Sequence, residues 1–126
     1  GLIMGVANEK SAAWGIAEMA AKQGADLAFT YQIEGFRKRL VPLASSVGSD
    51  FLIPCDVAEE TAAQKTFAAI RTRWDALDFV VHAIGFSDKS ELKGPYYNTT
   101  RENFEQTMLI SAFSFTEIAA EARKCS

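Results

Sequence analysis

The sequence predicts a doubly wound α/β fold, in which helices cover both faces of a parallel sheet. Short apolar runs alternate with helical periodicities along the whole chain, as expected for consecutive βαβ units. The runs are rich in Val, Ile, Leu and Phe, which is typical of strands buried on both faces. With 126 residues, 48% apolar and 23% charged, the chain has the composition of a globular domain that can bury one core.

Four strands and four helices are expected along the chain. The strands are predicted at residues 1–6, 26–31, 50–54 and 77–84. The helices are predicted at about 12–23, 35–47, 60–74 and 101–124. Gly24 and Gly48 stand where the first two helices should end. Because crossovers between parallel strands are right-handed, the expected order is 3-2-1-4, as in part of a Rossmann-like sheet with its switch between strands 1 and 4.

Charge and hydropathy exclude two classes of partner. A formal net charge of -3 offers no basic field for a phosphate backbone or an anionic membrane surface, so neither nucleic acid nor membrane is an expected partner. No apolar run approaches the roughly 18 residues of a membrane span, and the N-terminus lacks the basic and apolar regions of a signal peptide. We therefore expect a cytoplasmic protein.

Histidine and cysteine are too few to build most metal or nucleophile sites. The single histidine, His82, lies in an apolar strand, where we expect a hydrogen-bonded core residue rather than a catalytic base. Cys55 and Cys125 lie far apart in sequence without a second pair to complete a metal clip. We interpret both as free thiols in a reducing compartment. Neither a metal site nor a Ser/His/Asp triad is expected.

The turn from strand 1 into the first helix has features of a phosphate-binding loop. Gly5 would let the backbone approach a pyrophosphate, and the amides at the helix N-terminus would bind its charge. Ser11 is well placed as helix cap and phosphate donor, and Gly15 would let the helix pack closely on the sheet. The spacing is not G-x-G-x-x-G, so taken alone the turn is more often plain turn chemistry.

Five separated stretches, in order, resemble the NADH-dependent enoyl-acyl-carrier-protein reductases of bacterial fatty-acid synthesis, a divergent branch of the short-chain dehydrogenases. They are GVAN with SAAWGIA (5–17), LAFTYQ (27–32), CDV (55–57), DFVVHAIGF (78–86) and TRENF (100–104). The resemblance spans nearly the whole chain. Ala12 stands where many members carry Ile, at a position that we expect to act through its backbone.

On the adenosine side, the resemblance implies a site for a nicotinamide dinucleotide. By position, Gly5, Ser11 and Ala12 would hold the pyrophosphate, and Gln32 at the end of strand 2 would meet the adenosine ribose. An amide can hydrogen-bond a hydroxyl without penalising it, which together with the resemblance favours NADH over NADPH. The basic residues 37–39 could soften that preference, or could simply form a solvated helix face.

Two further pairs are implied at the ends of strands 3 and 4. Asp56 and Val57 would frame the adenine, although a carboxylate after a strand is also common as a turn or cap. Ile84 and Gly85 would lie along the nicotinamide. Each of these positions is at the carboxyl end of a strand, where open α/β sheets bind their ligands.

No catalytic residue is assigned within this chain. The backbone near Phe86 and Ser87 is implied to border the acyl substrate, while the proton donor of these reductases is a Tyr separated by six residues from a Lys. That spacing occurs once, from Tyr31 to Lys38. We interpret Tyr31 as a bystander, because it ends strand 2 on the adenosine side, away from the switch between strands 1 and 4. The working pair is expected after strand 5, beyond this chain.

The implied activity is NADH-dependent reduction of the trans-2 double bond of an enoyl thioester on acyl carrier protein, in fatty-acid elongation. Residues 1–126 would then be the N-terminal dinucleotide-binding part of a single Rossmann-like domain, inactive alone. Two alternatives stay open. A Tyr-x3-Lys motif downstream would favour another short-chain dehydrogenase/reductase, and the absence of any Tyr/Lys pair would favour a non-catalytic nucleotide-binding module.

The predicted helix 101–124 is apolar on two sides and must therefore be covered twice. One side carries Phe104, Met108, Phe115, Ile118 and Ala122. The other carries Leu109, Phe113 and Ala120. The sheet is one cover. The same helix of a second subunit is the expected other, which gives an isologous dimer or a tetramer built from it.

Overall fold

A parallel four-stranded sheet lies at the centre of the protein. The computed structural model describes residues 1–84, 100–108 and 114–124. The strands are β1 (Leu2–Met4), β2 (Ala28–Tyr31), β3 (Phe51–Pro54) and β4 (Val80–His82). The helices are α1 (Ala12–Lys22), α2 (Glu34–Ser46), α3 (Ala62–Arg71), α4 (Arg101–Met108) and α5 (Ser114–Arg123). Within these ranges, no helix has the length and apolar character needed to cross a membrane.

The strand order is β3-β2-β1-β4, and all three pairings are parallel. Ile3 of β1 is aligned with Phe29 of β2 on one side and with Val81 of β4 on the other. The predicted order is confirmed. The carboxyl ends of all four strands therefore open to the same side of the sheet, called the carboxyl edge below, and the switch in direction lies between β1 and β4.

β1 is buried on both faces of the sheet. Leu2, Ile3 and Met4 have no exposed surface, and alternation sends Ile3 to the opposite face from its two neighbours. Leu2 and Met4 join a core cluster that includes Phe67 of α3 and Ile118 of α5. Ile3 joins a second cluster, formed with side chains of α1 and α2. Burying each such side chain stabilises the folded state by about 1.5–3 kcal/mol. β1 therefore contributes to both cores.

The first two helices end where the glycines predict. After α1, the Gly24 amide donates to the Ala21 carbonyl at 3.0 Å and the Ala25 amide donates to the Ala20 carbonyl at 3.1 Å. The same pair of bonds follows α2, around Gly48. Both glycines have positive φ, as this C-terminal motif requires, so their predicted role is confirmed.

One predicted helix is longer than the observed one. α3 is shorter than the predicted 60–74, and Trp74 lies beyond its end, packed edge-on against Phe51 with ring centroids 5.4 Å apart. Arg73 lies over the same Phe51 ring at 4.4 Å and pairs with Asp50 at 2.7 Å, so side-chain contacts hold this segment where helix was predicted. The stretch predicted as one helix, 101–124, contains α4 and α5, and residues 109–113 lie outside the described ranges.

Candidate functional site

A cavity of about 220 Å³, called the edge cavity below, opens at the carboxyl edge. It is formed where β1, β2 and β4 end, together with the first turn of α2. Its lining residues are Gly5, Val6, Ala7, Thr30, Tyr31, Gln32, Phe36, Ala83 and Ile84. Three residues predicted from sequence to bind a cofactor, Gly5, Gln32 and Ile84, are thus brought to one place at the predicted switch point.

Larger depressions lie elsewhere in the described part of the chain. One, of about 360 Å³, runs between β4 and α5, and another, of about 420 Å³, lies at the amino edge of the sheet around Gly1 and Asp26. Neither is lined by any of the predicted cofactor residues. Size alone does not identify a ligand site, and the smaller edge cavity is the one where the strand ends converge.

Gly5 is required by the fold at the start of the loop after β1. Its φ is +102°, a region that L side chains rarely adopt. A Cβ atom built here would collide with the Ala83 carbonyl oxygen and lie 2.6 Å from the Ala83 carbonyl carbon. The Ala83 amide also donates to the Met4 carbonyl at 3.0 Å, which fixes the two segments against each other. Glycine therefore lets the backbone of β1 pass close to the segment after β4.

Ser11 closes the loop between Gly5 and α1. Its hydroxyl oxygen accepts from the amides of Ala7 at 3.0 Å and Asn8 at 3.1 Å. Its own amide donates to the Asn8 carbonyl at 3.1 Å, and the Asn8 side chain accepts from the Lys10 amide at 2.8 Å. Ser11 occupies the N-cap position, but its hydroxyl does not cap the helix, so that part of the prediction is wrong. The hydroxyl shapes the loop instead.

The N-terminus of α1 presents its first amides near this loop. The hydrogen bonds recorded there begin with the Trp14 and Gly15 amides, which donate to the Ser11 carbonyl at 3.1 and 3.2 Å. The amides of Ala12 and Ala13 precede them and have no partner within the helix itself. Ala12 is exposed, which suits a residue expected to act through its backbone. Unpaired amides at a helix N-terminus carry partial positive charge and suit a phosphate.

The prediction that Gly15 lets α1 pack closely on the sheet is wrong. Gly15 is exposed, and a Cβ atom there would meet nothing within 4 Å. The buried face of α1 consists instead of Ala13, Trp14 and Ala17, and the Trp14 ring lies 6.0 Å from the Phe29 ring. Small side chains at positions 13 and 17 allow the close approach that was attributed to glycine.

Gln32 and Phe36 line the edge cavity from the end of β2 and the start of α2. Gln32 is exposed, and Phe36 is 37% exposed. The Phe36 amide donates to the Ile33 carbonyl at 3.0 Å, which fixes the turn that carries the ring to the cavity. Arg39 lies over the Phe36 ring, with its guanidinium carbon 5.9 Å from the ring centroid. Phe36 was missed in the sequence, because a single aromatic in a charged helix start gives no periodic signal.

Asp56 and Val57 follow β3 but do not line the edge cavity. One carboxylate oxygen of Asp56 accepts from the Ala58 amide at 3.0 Å, and its carbonyl accepts from the Glu59 amide at 2.9 Å. This is a side-chain turn, the alternative considered for this residue. Val57 is 4% exposed and belongs to the core under α3. The contact of these two residues with adenine stays a prediction.

The nicotinamide side of the predicted site is described in part. Ile84 lines the edge cavity and packs against the core, and the adjacent Ala83 is held by the backbone of β1. Gly85, Phe86 and Ser87 lie outside the described residues.

His82 is a partly buried, hydrogen-bonded residue of β4, as expected. Its Nε2 atom lies 2.9 Å from the hydroxyl of Ser114 at the start of α5. Burial lowers the pKa of His82, so the imidazole is neutral near pH 7. Cys55 is 3% exposed, and burial raises the pKa of its thiol, which keeps the thiol protonated. Cys125 lies outside the described residues. Within the described residues, no group of three metal-ligating side chains occurs.

Tyr31 ends β2 and is 9% exposed, with part of its surface on the edge cavity. β1 lies between β2 and β4, so two strand spacings, roughly 10 Å, separate Tyr31 from the end of β4. Its side chain belongs to the core cluster under α1 and α2. The six-residue spacing to Lys38 therefore joins a core residue to an exposed helix position.

Known sequences match this chain over almost its full length. The family model described as Enoyl-(Acyl carrier protein) reductase matches residues 5–126. The chain is 64% identical over 122 residues to enoyl-(acyl-carrier-protein) reductase (NADH) 2 of Rhizobium meliloti (strain 1021), covering 97% of this chain and 46% of that relative. It is 44% identical over 124 residues to enoyl-(acyl-carrier-protein) reductase (NADH) FabI of Rickettsia bellii (strain RML369-C), covering 98% of this chain and 47% of that relative.

Solved structures share the fold throughout. FabI from Candidatus Liberibacter asiaticus superimposes with a TM-score of 0.97 at 59% identity, covering 99% of this chain and 48% of that one. The enoyl-(acyl-carrier-protein) reductase of Anaplasma phagocytophilum in complex with NAD superimposes with a TM-score of 0.95 at 50% identity, again covering 99% and 48%. The chain spans about half the length of the curated relatives it matches. The family model and the shared fold lead to one conclusion: the chain belongs to the Enoyl-(Acyl carrier protein) reductase family.

Proposed function

We propose that the protein is an NADH-dependent enoyl-acyl-carrier-protein reductase, acting in fatty-acid elongation. One observation carries the proposal: Gly5, Gln32 and Ile84, from the ends of three different strands, line one cavity at the switch point. The relatives at 64% and 44% identity are named as NADH enzymes of this kind, and the Anaplasma relative was crystallised with NAD. These names support the proposed substrate, an enoyl-acyl carrier protein, and the proposed cofactor, NADH.

The donors at the carboxyl edge suit a dinucleotide. The Ser11 oxygen accepts two amides, so its own hydroxyl hydrogen is left to donate to a pyrophosphate oxygen. The first amides of α1, at Ala12 and Ala13, add donors and partial positive charge. The edge cavity, at about 220 Å³, is smaller than the roughly 300–1,000 Å³ of most ligand pockets, which fits one part of a dinucleotide rather than the whole.

The residues of this chain bind and orient the cofactor in the proposed enzyme. When bound, NADH supplies the hydride that reduces the trans-2 double bond of the enoyl thioester. Ser11 and Ala12 would fix the pyrophosphate, Gln32 the adenosine ribose, and Asp56 with Val57 the adenine. The segment Ile84 to Ser87 would border the nicotinamide and the acyl chain. Fixed geometry of this kind converts a bimolecular encounter into an oriented one.

We infer that residues 1–126 are the N-terminal dinucleotide-binding part of a single domain. The chain covers 46% of the Rhizobium relative and 48% of the Liberibacter structure, so half of each lies beyond the match. The proton-donating Tyr and its Lys would come from that unmatched half. The part described here would then be inactive alone. A cytoplasmic location is proposed with this activity, and the buried free thiol of Cys55 accords with a reducing compartment.

The proposed function is tested with the purified full-length protein and a trans-2-enoyl-acyl carrier protein. We expect NADH absorbance to fall in step with loss of the enoyl group, and the β-ketoacyl thioester to be left unreduced. Reduction of the ketone alone would instead identify another short-chain dehydrogenase/reductase. Tight NADH binding without turnover of either thioester would identify a non-catalytic nucleotide-binding module.

The Tyr31→Phe variant of the full-length protein is expected to keep kcat within a few-fold of the unaltered enzyme, because Tyr31 lies on the far side of β1 from β4. Any loss should appear in the KM for NADH, since the ring touches the edge cavity. Removal of a true proton donor would reduce turnover by roughly 10²–10⁴-fold. Steady-state kinetics at saturating NADH separates the loss of a proton donor, which lowers kcat, from weaker binding of NADH. A collapse of kcat with unchanged NADH affinity would contradict the bystander role.

We also propose that the protein is a homodimer, or a tetramer built from it, through α4 and α5. Ile118 and Ala122 of α5 pack against the core, whereas Ala119 and Ala120 on the same helix are exposed. The predicted apolar partners Leu109 and Phe113 lie outside the described residues. Small exposed side chains beside the buried face of a helix suit an isologous contact with the same helix of a second subunit.

Light scattering of the full-length Ala120→Arg variant is expected to give a smaller species than the unaltered protein, because a charged side chain in a helix contact must be desolvated. Gln23→Arg is the matched control, since Gln23 is exposed at the end of α1 on the other face of the sheet. A stable monomer for the unaltered protein would rule out the proposed contact.

A further inference from the structure

The edge cavity has one lining residue that the proposed function does not use, Phe36. Phe36 comes from the first turn of α2 and lines the same cavity as Gln32, whose side chain would meet the adenosine ribose. Phe36 is 37% exposed, so most of its surface is buried while part of it faces solvent beside the cavity. The position of Phe36 therefore bears on which cofactor can enter the cavity.

Gln32 cannot by itself separate NADH from NADPH. An amide side chain donates equally well to a ribose hydroxyl and to a phosphate oxygen, so it accepts either cofactor. An acidic residue at this position would have repelled the 2′-phosphate, and this chain has none there. Discrimination must therefore come from a neighbouring group.

The charges near the ribose position oppose the expected preference for NADH. Arg37, Lys38 and Arg39 are all exposed on the first turns of α2, and cations attract a 2′-phosphate. Glu34, in the first turn of the same helix, supplies one negative charge against these three positive ones. These charges alone would favour the binding of NADPH. Exclusion of NADPH must therefore come from a lack of space and from the cost of removing water from its 2′-phosphate.

We propose that Phe36 is the residue that excludes the 2′-phosphate and so determines the preference for NADH, an inference that rests on the proposed function. Phe36 and Gln32 line the same cavity, and a dianionic phosphate pressed against the phenyl ring would lose water without gaining a hydrogen-bond donor. The ring also holds Arg39, whose guanidinium lies over it at 5.9 Å and does not line the cavity. Phe36 would thus occupy the space of the 2′-phosphate. It would also keep Arg39, the cation best placed to pair with that phosphate, out of the cavity.

The test is the ratio of the dissociation constants for NADPH and NADH, measured by nicotinamide fluorescence on the full-length protein. In Phe36→Ala we expect the ratio to fall by about ten-fold or more, the effect of one new charge-assisted hydrogen bond. The change should come from tighter NADPH binding. Adding Arg39→Gln to Phe36→Ala should remove most of the gain, because Arg39 is the group released toward the phosphate.

Two further variants control for bulk and for general effects on α2. Phe36→Leu retains most of the apolar volume and should leave the ratio within about three-fold of the unaltered protein. Val41→Ala removes an exposed apolar side chain of α2, 41% exposed and away from the cavity, and should change neither constant. An unchanged ratio in Phe36→Ala, or an equal fall in Phe36→Leu, overturns the inference while leaving NADH binding intact. Failure of the unaltered protein to bind NADH would overturn the proposed function itself.

Discussion

Gly5→Val is expected to destabilise the protein and abolish NADH binding together. The backbone at Gly5 has φ of +102°, which costs an L residue roughly 1–2 kcal/mol. The new Cβ would also collide with the Ala83 carbonyl, and overpacking of this kind typically costs about 1–3 kcal/mol. The sum is a large part of the roughly 5–15 kcal/mol that holds a domain together. β1 and the segment after β4 can accept the side chain only by moving apart.

Urea unfolding and NADH titration of the same full-length variant measure the two effects. Gly15→Ala is the matched control, because its new methyl group would meet nothing within 4 Å and alanine favours a helix by about 0.5–1 kcal/mol over glycine. It should unfold at the same or a higher urea concentration. If Gly5→Val kept full stability and lost only NADH binding, the collision with Ala83 would be unimportant and crowding of the pyrophosphate would be the whole cause.

Ser11→Ala is expected to weaken NADH binding by about 10–100-fold with little loss of stability. The variant removes the oxygen that accepts the Ala7 and Asn8 amides, and it also removes the hydroxyl proposed to donate to the pyrophosphate. Hydrogen bonds to a charged group are worth about 1.5–3 kcal/mol, which corresponds to that range of affinity. The loop amides are exposed, so water can replace the lost acceptor in the free protein.

Ser46→Ala provides the control for Ser11→Ala. The Ser46 hydroxyl donates to the Leu43 carbonyl at 2.6 Å within α2, remote from the edge cavity. This variant should bind NADH as the unaltered protein does. Ser11→Thr retains a hydroxyl and should recover most of the affinity. Equal NADH dissociation constants for Ser11→Ala and the unaltered protein would remove Ser11 from the cofactor site.

The sheet could be predicted from sequence because it depends on local patterns of apolar residues and on general rules of chain connection. Alternation at Leu2, Ile3 and Met4 gives two buried faces, and right-handed crossovers restrict the strand order to a few, of which 3-2-1-4 is observed. The wrong role for Gly15 was avoidable. Ala13 and Ala17 are one helical turn apart, and a residue midway between them points away from their face.

Other features of the site could not be read from sequence. Gly5 was expected to make room for a ligand, but its nearest constraint is Ala83, a contact between residues far apart in the chain. From sequence, the Ser11 hydroxyl could either cap α1 or bond within the loop. Only the geometry of the loop shows that it accepts the loop amides. Phe36 was hidden because a single aromatic in a charged segment carries no periodicity.

The pairing of β1 with both neighbours has a consequence for synthesis of the chain on the ribosome. β2 follows β1 closely, but β4, which covers the other edge of β1, begins only at Val80. At about 5–20 residues per second, one edge of β1, with its backbone N–H and C=O groups, stays unpaired for roughly 3–10 seconds after β2 is made. Unpaired edges of this kind recruit other strands, so we expect the growing chain to be exposed to aggregation during this interval.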